Sequence, residues 1–404
     1  MAQPAPKVTP EPSAQALTSP PAPAFSVPAI RTEGSSGVRD GHIDVLRGVA
    51  ILLILILHAA AMTPGLEDRR FLHIMFSRFN CGMQLFFVLS GFLISRRWEG
   101  LRNQARGLGV YAIKRAGKIV PLYFLFLHLY IFTYLLLFKD GSSPSTLINP
   151  IARENFNFAN YLAHLLFAQG LIPAWLNTLV DGGWSIVAEV YFYALFPLLL
   201  ARYCRTAEQA FKTYVVTLAF AILMGELVTG RLERYYGYRN FFAQLPCFML
   251  GVCAFQVLRE PTVQTLLKRW APSLFAFAVI LAIGMVNGNV SPVGSHNIYG
   301  LVFAAILVSF SLLSQRDLWA GRLAILRLMG QQSYALFFTH IFLLKLQTYY
   351  LVGWLGGDHF WAILGLNLLT SVGVSFAVSA ALIHPIDQFF VRWSSRASDR
   401  LRGR

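Results

Sequence analysis

The stretch Asp44–His58, DVLRGVAILLILILH, constrains this chain more than any other: an apolar run with an arginine near one end and a histidine at the other. Arg47 and His58 are eleven residues apart. At 3.6 residues per turn, eleven steps bring the second side chain back to within about 20° of the first. The imidazole then lies about 16 Å further along the axis. One helix face therefore carries a cation able to hold an anion at a membrane boundary and, deeper, a group able to move protons. Snorkelling of Arg47 to headgroups and a satisfied interhelical bond at His58 would produce the same pattern. Ionisable groups inside a membrane are nonetheless functional by default.

Similar apolar runs recur along the 404 residues, 56% of which are hydrophobic and only 13% charged, a balance that excludes a soluble domain of this size. The net charge of +15 does not indicate nucleic acid, because the basic residues sit in short clusters between apolar runs. Cys81, Cys204, Cys247 and Cys253 have neither metal-ligand spacing nor the density of a disulfide framework. No metal site is expected. Residues 1–41, rich in Pro, Ala and Ser without apolar periodicity, read as a disordered tail. They lack an early apolar region, so no cleavable signal peptide is expected and the first spanning helix serves as the signal.

The basic clusters set the orientation. Arg96, Arg97, Arg102, Arg106, Lys114, Arg115 and Lys118 stand against the single acid Glu99, which makes the loop after the second span cytoplasmic. Arg47 then lies at the cytoplasmic boundary and His58 in the outer half. Further clusters at Arg202–Lys212, Arg259–Arg269 and Arg316–Arg327 keep the alternation. The expectation is an all-α polytopic transmembrane bundle of about ten spanning helices with both termini cytoplasmic. Residues 42–385 form the transmembrane domain, and 386–404 a basic amphipathic tail on anionic headgroups. Residues 157–175 are apolar enough either to lie in the interface or to re-enter the outer leaflet.

Counting from the outer helix ends, Glu189 falls in the same layer as His58. A carboxylate there needs a partner, and a His58–Glu189 pair would hold the imidazole ready to take a proton from a hydroxyl. At the inner face Arg47, Ser90, Arg115 and Lys118 share a layer suited to phosphate, although basic residues at a cytoplasmic helix end also satisfy the positive-inside rule alone. Gly91 is expected to permit close helix approach.

DVLRGVAILLILILH, QLFFVLSGFLISR, YAIKRAGKIVPLY and GGWSIVAEVYFYALFP occur in that order, followed by GQQSYALFFTH at Gly330–His340. This series resembles the signature of the membrane-bound acyltransferase 3 family of bacteria. The resemblance implies transfer of an acyl group, usually acetyl, from cytoplasmic acyl-CoA to a hydroxyl of an extracytoplasmic or lipid-linked glycan. It implies His58 and Glu189 as catalytic residues and Arg47, Ser90, Arg115 and Lys118 as donor ligands. Trp184, Ser185, Tyr123 and His340 are implied as substrate-binding residues. It further implies a multi-pass protein of the bacterial inner membrane, with acyl-CoA as co-substrate and no resident cofactor. The chain departs from the family pattern at Gln84, at Lys118 and at His384-Pro385, where an acid, an arginine and a glutamate-proline are usual. The rival class is a proton-coupled transporter or acyl conduit in which His58 and Glu189 form a relay. Whether His58 acts as a base or itself carries the acyl group stays open.

Overall fold

A computed structural model describes residues 41–137, 157–229, 234–287, 292–314, 323–355 and 359–403. Residues 1–40 of the expected tail, residues 138–156, and Arg316 and Arg322 of the last basic cluster lie outside the described residues. Among the described residues every regular element is helical. In chain order these are α1 Gly41–Ala61, α2 Arg70–Arg78, α3 Gly82–Glu99, α4 Gly107–Leu137, α5 Phe158–Leu165 and α6 Gly183–Leu195. Then come α7 Ala207–Thr229, α8 Arg234–Arg239, α9 Phe241–Arg259, α10 Pro261–Asn287, α11 Pro292–Ser314, α12 Ala324–Gln331 and α13 Ser333–Leu355. The series closes with α14 Phe360–Leu368, α15 Ser375–Val378 and α16 His384–Leu401.

Nine helical stretches among the described residues are long and apolar enough to cross a membrane. The remaining expected span is α13, which has spanning length at 23 residues but carries Thr339, His340, Lys345, Gln347 and Thr348. His340 and Thr348 are fully buried, so this helix directs its polar side chains into the protein. The second expected span is α2 and α3 joined by a tight turn at Phe79–Cys81.

Glycine lets the central helices approach backbone to backbone. A Cβ at Gly91 on α3 would overlap the Phe248 carbonyl of α9, and one at Gly251 on α9 would overlap the Val88 carbonyl of α3. The close approach expected at Gly91 is thus formed, with Gly251 as its counterpart. Glu99 reinforces the same pair of helices through Arg259 at 2.9 Å.

Two boundaries differ from the sequence expectation. Helix α4 starts at Gly107, so Lys114, Arg115 and Lys118 stand on the helix and not ahead of it. The expected tail from 386 is mostly helix α16, which packs along α4. Its buried stripe is polar, Asp387, Ser394 and Ser398, while Phe389 and Trp393 are exposed. The polar face thus meets protein and the aromatic face is left to the surroundings.

Residues 157–181 do not form a span. Helix α5 has eight residues, about 12 Å, and short 3₁₀ turns follow at Ala168–Leu171 and Pro173–Trp175. Irregular backbone at membrane depth requires protein partners. Here Tyr191 donates to the Phe167 carbonyl at 2.8 Å, the Gly182 N–H donates to Asn177 at 3.0 Å, and Asp181 pairs with Lys345 of α13.

Candidate active site

His58, near the end of α1, meets His340 of α13, with Nδ1 of the first 3.0 Å from Nε2 of the second. His340 is fully buried, and its Nδ1 lies 2.8 Å from the Leu336 carbonyl. A carbonyl only accepts, so His340 Nδ1 carries the hydrogen, and in the neutral ring Nε2 is then the acceptor. The network therefore assigns the hydrogen on His58 to Nδ1, donated to His340. This leaves the His58 Nε2 lone pair without a partner among the described residues, which is what a general base requires.

The expected His58–Glu189 pair is not formed. Glu189 Oε1 accepts from Ser90 at 2.6 Å and Oε2 from Tyr193 at 3.0 Å. The reason is where α6 begins. Gly182, in the left-handed conformation at φ 75°, caps it, and a Cβ there would press on Phe337 and Ile341, which bracket His340. The helix thus starts against the part of α13 that carries His340. Glu189, seven residues on, is about 10 Å further along the axis. The end of α6 meets the beginning of α4, where the Tyr111 hydroxyl donates to the Tyr193 carbonyl at 2.9 Å.

Glu189 instead lines a cavity of about 670 Å³, a volume within the ordinary range for small-molecule sites. Arg47, Ser90, Arg115 and Lys118 are all on its wall. Among the described residues Arg47 forms no ion pair. The Arg115 Nε is buried without a hydrogen-bond partner, and its guanidinium lies 5.0 Å from the Tyr193 ring centroid. Lys118 is already engaged, at 2.5 Å from Asp387 of α16. Ser90 is likewise committed to Glu189. One end of the cavity is bordered by Arg96, Arg97, Lys114 and Arg402, and the other reaches Phe337, whose ring centroid is 6.1 Å from that of His340.

Of the remaining sequence candidates, Ser185 is on the cavity wall, its hydroxyl donating to the Gly182 carbonyl at 2.9 Å. Trp184 is packed edge-on to Phe87 and lies 5.7 Å from Tyr238, ring to ring. Tyr123 is fully buried, and its hydroxyl accepts from Gln169 at 2.7 Å. Neither Trp184, Tyr123 nor His340 borders the cavity. Among the described residues no three His, Cys, Asp or Glu side chains cluster as a metal site would require.

Sequence reasoning missed Tyr193 and Asp387. Tyr193 was findable, since it follows Glu189 by four residues and so shares its helix face. Asp387 carries a fainter signal as one of two acids in a basic stretch, with Ser394 and Ser398 on the same face.

The family model described as Acyltransferase domain matches residues 40–384. Over 335 residues the chain is 24% identical to the O-acetyltransferase OatA of Staphylococcus aureus strain NCTC 8325 / PS 47, an alignment covering 77% of this chain and 52% of the relative. The OatA proteins of strains COL and MRSA252 match to the same extent. The chain thus spans about half the length of these curated relatives. No solved structure matches it.

Proposed function

Given that this chain belongs to the acyltransferase 3 family of membrane acyltransferases, we propose that it transfers an acetyl group from acyl-CoA to a hydroxyl of an extracytoplasmic or lipid-linked glycan. The observation that carries this reading is an adjacency: a cavity with Arg47, Arg115 and other cations on its wall includes Phe337, which packs against His340 of a histidine pair whose free lone pair on His58 can accept a proton, although neither histidine borders the cavity itself. The O-acetyltransferase relatives favour acetyl as the group and a hydroxyl as the acceptor.

The donor enters from the cytoplasm at the cationic end, and Arg47 and Arg115 receive its pyrophosphate. The unpartnered Arg115 Nε suits such an anion, because a buried donor without an acceptor is costly until one arrives. Glu189 keeps lone pairs beyond those bonded by Ser90 and Tyr193, and these suit the amide N–H groups of the pantetheine arm. The thioester comes to rest beyond Phe337. His58 Nε2 removes the proton from the acceptor hydroxyl, its oxygen attacks the thioester carbonyl, and the carbon–sulfur bond breaks. The proton passes to the departing CoA thiolate. A route through acyl-His58 differs only in which nucleophile attacks first. The protein acts in the bacterial inner membrane with both termini cytoplasmic, and residues 157–175 shape the acceptor entrance.

The test uses purified full-length protein in lipid nanodiscs with labelled acetyl-CoA and a cell-envelope glycan. His58→Ala is expected to lower transfer by about 10²- to 10⁴-fold while donor binding persists. A folded His58→Ala protein with full transfer overturns the proposal. Uptake of an intact solute driven by a proton gradient, with no label on glycan, would instead support transport.

A further inference from the structure

Helix α16 is antiparallel to α4 and forms one side of the cavity. Three contacts fix the register: Asp387 with Lys118, Ser394 against Gly117, and Leu401 against Gly109. The end of α16 is fastened again by Arg106, whose Nη1 donates to the Leu401 carbonyl at 3.0 Å. The next residue, Arg402, lines the cavity, and its Nε is buried with no partner among the described residues. Among the described residues only one other cavity-lining arginine, Arg115, has a buried Nε in that state. From the level of Gly109 to Arg115 is six residues of α4, or about 9 Å along the axis. The backbone positions that carry the two unpartnered Nε atoms are therefore offset along α4 by about that distance.

Acyl-CoA carries negative charge at two separated places, the pyrophosphate and the phosphate on the adenosine ribose, and the latter is farther from the thioester. We infer that Arg402 is the ligand of the ribose 3′-phosphate, so that α16 selects the phosphorylated nucleotide of the donor. The inference rests on acyl-CoA being the donor and on the thioester lying at the Phe337 end. Arg115 and Arg47 then meet the pyrophosphate, which every CoA derivative carries. The guanidinium fork suits a terminal phosphate, which offers two oxygens to it at once. Lys118 holds α16 in place through Asp387 and does not itself receive phosphate.

The experiment measures binding of acetyl-CoA and of 3′-dephospho-acetyl-CoA to the full chain in nanodiscs by calorimetry. Wild type is expected to bind the dephospho donor about tenfold more weakly, the loss of one charge-assisted contact. Arg402→Gln should lose about the same factor for acetyl-CoA and bind both donors equally. Arg392→Gln, exposed on the same helix, should leave the preference intact. If Arg402→Gln keeps the wild-type preference, or weakens both donors alike, the assignment is overturned while acyl-CoA stands as donor. If wild type binds neither compound, the donor reading fails and the assignment with it.

Discussion

Lys118 and Asp387 meet at 2.5 Å although they are 269 residues apart in sequence, and the carboxylate is only 2% exposed. The pair converts a helix near the end of the sequence into a wall of the cavity. Removing Lys118 takes the close cationic partner from a buried carboxylate, a loss of up to about 3–5 kcal/mol, whereas removing Asp387 costs less because the Lys118 side chain is 26% exposed. Lys118→Met and Asp387→Leu should each lower the midpoint of thermal unfolding in detergent, and the double variant should recover most of the loss. Additive losses in the double variant would exclude a stabilising pair.

The hydrogen from His58 to His340 predicts a different result for two substitutions at residue 340. His340→Gln keeps an acceptor for the His58 N–H and should retain a substantial part of wild-type kcat. His340→Phe removes it and should lower kcat by about ten- to hundredfold, the value of one hydrogen bond to a group that becomes charged. KM for the donor should be unchanged in both. Equal loss in the two variants would mean that the imidazole does more than orient its neighbour.

Glu189 lines the cavity proposed for the donor and bonds Ser90 and Tyr193, so on that reading its effect should appear in donor binding. Glu189→Gln is expected to raise KM for acetyl-CoA about tenfold and to change kcat by less than about threefold. Steady-state kinetics at saturating acceptor measures both. A collapse of kcat with KM unchanged would place Glu189 in the chemical step.

The Gly91–Gly251 crossing predicts intolerance to side chains. Gly91→Ala should cost at least about 1–3 kcal/mol, because the obstructing atom is a backbone carbonyl that cannot rotate aside. Gly91→Val should abolish accumulation of folded protein in the membrane. Gly284→Ala, where an added methyl meets nothing within 4 Å, is the control and should be silent. Size-exclusion chromatography of detergent-solubilised protein distinguishes the three.

Sequence alone determined the helical membrane architecture, because runs such as Asp44–His58 admit no other solution in lipid. It also grouped four residues that line one cavity. Arg47, Ser90, Arg115 and Lys118 share one layer by sequence position, and all four border one cavity. Local spacing suffices there because the cations stand near helix ends. The partners of the two ionisable residues were not legible. Depth along the sequence puts Glu189 beside His58 if Trp184 stands at a membrane face, whereas Gly182 starts α6 against Phe337 and Ile341. His340 came to notice through family resemblance, and its bond to His58 spans 282 residues of chain. Asp387 lay in a stretch that composition marks as a surface tail. Hydrophobic periodicity and charge determine which segments enter the membrane and which way they face. Only packing in three dimensions decides which buried polar groups satisfy one another, since each needs a partner and many sequence-distant ones lie at the same depth.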